Sequence, residues 1–103
     1  MSPTQRSKAH MEAQGYTVAI VERWNPYARI RQDLFGFVDL LCIGNGETVA
    51  VQATSGSNVA SRVKKIAEHE NVGAVRNAGW KIWVMGWRKN SKGKWTMRIV
   101  DVS

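Results

Sequence analysis

A single cysteine, Cys42, excludes an internal disulfide, and its place in an apolar run reads as a buried, inert thiol. No apolar stretch approaches the roughly 18–20 residues that a membrane-spanning helix needs. The opening segment, Met1-Ser2-Pro3-Thr4-Gln5-Arg6, has no apolar stretch behind its basic residues, so a secretory signal is not expected. Repeats, low-complexity tracts and linkers are also missing. These absences leave one cytoplasmic (intracellular) domain over residues 1–103, with a modest core and no membrane partner. A hydrophobic fraction of 44% is ordinary for such a domain and argues against disorder.

Acidic residues are scarce. Eight Asp and Glu stand against fifteen Lys and Arg, a formal net charge of +7. That excess favours an anionic partner, nucleic acid before a membrane surface. A basic surface serving only solubility is the plainer alternative, but the charges are clustered. Arg23, Arg29 and Arg31 flank one acidic segment, Arg62, Lys64 and Lys65 form a second group, and Arg88, Lys89, Lys92 and Lys94 a third.

The pattern predicts the order α-β-β-β-α-β-β. A helix is expected over Thr4–Gln14, closed by Gly15, then a β-branched and aromatic strand over Tyr16–Trp24. Asn25-Pro26 ends it, and a loop carries Arg29, Arg31, Gln32 and Asp33 to Gly36. Phe37–Ile43 is nearly all apolar and reads as a strand buried on both faces. Asn45-Gly46 is a strong two-residue hairpin signal, with Glu47–Thr54 returning. Ser57 or Asn58 is placed to cap a helix through Glu68 whose apolar side is Val59, Val63 and Ile66. A further helical turn at Val72–Asn77 precedes strands at Trp80–Trp87 and Lys94–Val102. The fold class is α/β, a mixed sheet with flanking helices.

The hairpin carries most of the functional argument. With Asn45 and Gly46 as its loop, Gly44 faces Glu47, and five residues back along each arm Asp39 faces Gln52. Their Cβ atoms then lie roughly 5 Å apart on one face, which Thr54 shares. A carboxylate in an otherwise apolar strand costs several kcal/mol unless it is paired, hydrogen-bonded or bound to a metal. Oxygen donors of this kind suit a hard cation such as Mg²⁺. An Asp39–Gln52 hydrogen bond, or an Asp39–Arg pair holding the register, explains the same residues without a ligand.

These residues resemble the PD-(D/E)XK phosphodiesterase superfamily, whose restriction-endonuclease-like core has this order of elements. In its resolvase-like members the first hairpin strand supplies a metal-binding Asp and the second supplies (E/Q)-x-K. Asp39 stands at the Asp, and Gln52-Ala53-Thr54 at (E/Q)-x-K. The spacing resembles Holliday-junction resolvases, and Gln in first position is usual in the VRR-NUC branch. The stretch RQDLFGFVDLLCIGNGETVAVQATSGSN is similar to small phage-borne members. The resemblance covers Tyr16–Trp87.

It implies a Mg²⁺- or Mn²⁺-dependent endonuclease acting on DNA, on branched or flapped structures, and a possible homodimer. It implies a metal held by Asp39 and the Ala53 carbonyl, with Gln52 nearby and Glu22 or Asp33 completing the shell. Two departures stand out. Thr54 replaces the motif lysine and brings no positive charge, so Lys64, Lys65 or Arg62 on the next helix would have to reach back. The first helix offers only Glu12 as an acidic ligand, near its end. Glu22 is the preferred second ligand over Asp33 and Glu12, although a surface ion pair with Arg23 or Arg31 accounts for it equally.

Arg29, Arg31, Arg62, Lys64, Lys65, Arg88, Lys89, Lys92 and Lys94 are the expected phosphate contacts. His10 and His69 have no partners at zinc spacing, and a general-base role for His69 is a minor reading. Ser55 and Ser57 read as turn and cap residues. Trp80 and Trp83 are expected in the core, with Trp24, Trp87 and Trp95 partly exposed, packing the core or a dimer, or stacking on unpaired bases. A degenerate DNA-binding protein on the same fold is the second reading, and a protein-interaction module the third.

Overall fold

Ser2 opens the first helix, α1 (Pro3–Ala13), through a reciprocal capping box: its hydroxyl accepts the Gln5 N–H while the Gln5 side chain accepts the Ser2 N–H. The computed structural model describes residues 1–103. Beyond Gly15 run β1 (Thr17–Ile20), β2 (Arg23–Asn25), β3 (Ile30–Gln32), β4 (Leu40–Gly44) and β5 (Glu47–Ser55). A 3₁₀ turn at Gly56–Asn58 leads into α2 (Val59–Ala67), followed by α3 (Val72–Asn77), β6 (Lys81–Lys89) and β7 (Trp95–Asp101).

Five strands form one mixed sheet in the order β1-β4-β5-β6-β7. Only β5 and β6 are parallel, joined by the crossover through α2 and α3. The Asn45-Gly46 hairpin forms as expected, with both residues at positive φ and Gly44 opposite Glu47. The sheet packs α1 against one face, around Met11, Leu40, Cys42, Val51 and Met85. On the other face α2 and α3 cover Ala50, Ile82 and Val84 with Val59, Ile66, Val72 and Val75. Gly86 lets α2 approach: a Cβ there would lie 2.2 Å from Val59 Cγ2. No helix is long and apolar enough to cross a membrane. Cys42 is buried, and burial pushes its thiol up to about 11.

Three sequence expectations need correction. Tyr16–Trp24 is not one strand: after Val21 donates its N–H to the Asp39 carbonyl, the chain leaves the sheet. Arg23–Asn25 instead pairs with Ile30–Gln32, a segment expected to be loop, as a separate two-stranded ribbon, β2 with β3. Phe37–Ile43 is shorter as a strand and not buried on both faces, since Leu41 is half-buried and Ile43 exposed. The helices α2 and α3 cover the centre of the sheet and leave the β4 side of that face open. Neither Ser57 nor Asn58 caps α2 through its side chain; Asn58 instead donates to the Ser55 hydroxyl.

Candidate metal centre

The ends of four strands meet at one rim of the sheet. β1 and the parallel pair β5–β6 finish there, and β4 begins there. Just before β4, Leu34 and Val38 bond to each other around a tight turn in which Phe35 and Gly36 have positive φ. That turn pulls Val38 away from β5 and would orphan the Ala53 N–H. Asp39 replaces the lost strand: its Oδ2 accepts the Ala53 N–H at 2.8 Å and Gln52 Nε2 at 2.7 Å. Asp39 and Gln52 are thus cross-strand neighbours, as the hairpin register requires, one residue beyond the end of β4. The hydrogen bond that explains them without a ligand is present.

Two more carboxylates are drawn to the same place. Glu22, Asp33 and Asp39 each bring an oxygen within 4.8 Å of the others. Glu22 lies at the entry to β2, where its Oε1 accepts from Thr4 Oγ1 (3.1 Å) and Arg31 Nη1 (3.2 Å). The expected Arg31 pair and the cluster therefore coexist. Asp33 lies at the exit of β3, with Lys65 Nζ 4.0 Å from its carboxylate. Glu12 is not part of the group; it pairs with Lys8 at 3.1 Å on α1.

Burial and like charge act together on Asp39, which is 3% exposed. Loss of hydration is the largest influence, followed by the neighbouring Asp33 carboxyl and the charge of Glu22; the Ala53 N–H opposes them. The Asp39 carboxyl is pushed up to about 8. Gln52, also 3% exposed, spends its amide N–H on Asp39, and its Oε1, two bonds away, is buried without any donor. An unmet buried acceptor beside three crowded carboxylates is costly on each count. The three carboxylates are close enough to hold one cation between them, and an all-oxygen donor set is the kind that hard cations take. Ala53 turns its N–H toward Asp39, and the carbonyl of the same strand residue points to that side too.

The remaining expected site residues divide. Thr54 is buried, beside Gly86 in the sheet register, and brings no charge. Lys65 approaches the cluster, whereas Lys64 is exposed and in no ion pair, and Arg62 is half-buried. Arg29 is at the tip of the β2–β3 ribbon, and Arg88, Lys89, Lys92 and Lys94 lie at the β6–β7 hairpin end. His69 is structural: its Nδ1 accepts the Asn71 N–H, and its ring packs against Gly36 and Phe37. Trp87 is half-buried and donates to Ser7 Oγ at 2.9 Å, while Trp24 and Trp95 are exposed.

The sequence did not reveal that Glu22 and Asp33 both belong, one at each root of a ribbon. The alternation of Arg23-Trp24-Asn25 against Ile30-Arg31-Gln32 around Asn25-Pro26 was the available sign. No protein-family model matches the chain, and no curated protein matches it.

Proposed function

We propose that this protein is a metal-dependent phosphodiesterase with a restriction-endonuclease-like core, cleaving DNA at branched or flapped structures. The observation that carries the reading is the triad of carboxylates beside the donorless Gln52 Oε1, at the strand rim where Asp39 and Gln52-Ala53-Thr54 resemble the nuclease motif. Glu22, Asp33 and Asp39 would hold Mg²⁺ or Mn²⁺, with Gln52 Oε1 and the Ala53 carbonyl as further oxygen donors. Such an ion supplies Lewis acidity toward phosphate and lowers the pKa of water.

The chain's own residues divide the rest. Water oxygen bonds to phosphorus and gives up a proton to solvent as the P–O bond to the leaving nucleotide breaks, and the departing alkoxide takes one up from solvent. Lys65 stands in for the motif lysine that Thr54 lacks, offsetting the negative charge that grows on the phosphoryl oxygens. Arg88, Lys89, Lys92 and Lys94, at the same rim as the ends of β5 and β6, bind backbone phosphates and position the duplex without reading sequence. Thr54 is the specific observation favouring the second reading, a DNA-binding protein that has lost catalysis.

Incubation with junction, flap and linear DNA in Mg²⁺, Mn²⁺ or EDTA separates the two. The expected result is cleavage of junction or flap with either metal and none in EDTA. Salt-sensitive binding with no cleavage under any condition would leave the binder reading standing.

A further inference from the structure

We propose that the β2–β3 ribbon is an arm that grips an unpaired DNA strand by base stacking and leads it to the carboxylate cluster. This deepens the DNA reading above and rests on it. The ribbon buries almost nothing of its own: Trp24 is 57% exposed, Ile30 51% and Tyr27, at the turn, 98%. Two-stranded ribbons are marginal alone, and apolar groups left in water on one are a standing cost that a bound partner would remove.

The occupant is set by charge. Arg23–Gln32 contains three arginines and no acidic residue, so its chemistry suits a polyanion. Aromatic faces interleaved with arginines suit one whose bases are free. In a duplex the bases are stacked on one another and only phosphates are reachable, whereas a single strand offers each base face to a ring. The arm is also held ready. Asn25 Oδ1 accepts the N–H groups of Tyr27 and Ala28, which fixes the turn presenting Tyr27.

Register ties the arm to the site. Trp24 lies directly across from Arg31, and Arg31 bonds Glu22, so the stacking face continues toward the cluster. An open cleft of about 490 Å³ runs from the ribbon to α2, with Arg23, Arg31, Asp33 and Lys65 among its walls. A strand stacked on Trp24 and Tyr27 would pass its phosphates along this cleft to the acidic rim.

Fluorescence anisotropy in EDTA, with labelled oligo(dT) and a blunt duplex as probes, tests the arm without cleavage. The doubly substituted Trp24→Ala/Tyr27→Ala protein is expected to lose about thirtyfold or more in oligo(dT) affinity, and under about threefold on the duplex. Trp24→Phe should keep most of it. Both side chains are exposed, so melting should not move, and a melting shift would assign the loss to folding and overturn the proposal. Equal losses on both probes would mean a general basic patch, and no loss would mean the ribbon is not the interface. A parent dimer that becomes monomeric on Tyr27→Ala would assign the patch to a second copy. Any of these, with metal-dependent cleavage by the parent intact, sinks the arm alone; a parent that binds neither probe sinks the DNA reading with it.

Discussion

Asp39→Asn is expected to abolish cleavage while leaving the fold and DNA binding in place. The amide keeps an acceptor for the Ala53 N–H that Asp39 now satisfies, so the strand end stays capped. It removes the buried carboxylate that the hairpin register brings into the cluster. Lys65→Ala is expected to cost about 10²–10³ in single-turnover rate, the usual worth of one lost electrostatic contact to a transition state. Lys64→Ala should change little, because only Lys65 approaches Asp33.

Thr54→Lys supplies the compensation experiment. In the parent it should add little, since Lys65 already provides the charge. In the Lys65→Ala protein it should restore much of the rate, because Thr54 shares the Gln52 face of β5. Single-turnover assays with Mn²⁺ and excess protein measure all of these. Cleavage that survives Asp39→Asn unchanged would place the chemistry elsewhere.

Metal affinity and metal-free stability should both swing strongly with pH, in opposite senses. The Asp39 carboxyl titrates near 3.8 when unfolded and at about 8 in the fold. Between those values the folded protein holds a proton that the unfolded chain has released. Stability without metal therefore falls as pH rises through that window and levels off above about 8. The slope approaches about 1.4 kcal/mol per pH unit where one full proton separates the states.

A cation needs the ionised carboxylate, so its affinity should rise about tenfold per unit up to pH about 8. Thermal melts in EDTA across this range, and calorimetric titration with Mn²⁺ at several pH values, measure the two effects. Asp39→Asn should flatten the first and eliminate most of the second. A melting temperature independent of pH in the parent would show that the three carboxylates are not crowded in solution.

What was legible in the sequence followed from local rules. Asn45-Gly46 fixes a hairpin, the hairpin fixes a register, and the register puts Asp39 beside Gln52. α1 was readable from the Gly15 that closes it, and α2, β5, β6 and β7 from local apolar patterns, whereas β1 and β4 were read too long. What escaped depended on contacts between distant segments. Nothing near Glu22 says that β4 begins too late to continue the sheet, yet that is why β1 stops and the ribbon starts. Asp33 looked like one loop carboxylate among alternatives until β3 formed and fixed its exit beside Lys65. The exposure of Ile43 likewise depends on how far α2 and α3 reach across the sheet, which β4 does not encode.

Glu22 and Asp33 sit at the two roots of a ribbon that has no core of its own. The ribbon's hydrogen bonds should open at much lower free energy than those of β5 and β6, as segments with little burial do. Opening would loosen the ribbon side of Glu22 and Asp33, two of the three carboxylates, leaving them tied to the body only through Val21, Leu34, Thr4 and Lys65. An ion held by all three would staple both roots together. In amide hydrogen exchange, residues 22–33 should then gain protection with Mn²⁺ out of proportion to the rest of the sheet. The apparent affinity for the ion would include the free energy of closing the ribbon, and a strand stacked on the ribbon would raise it.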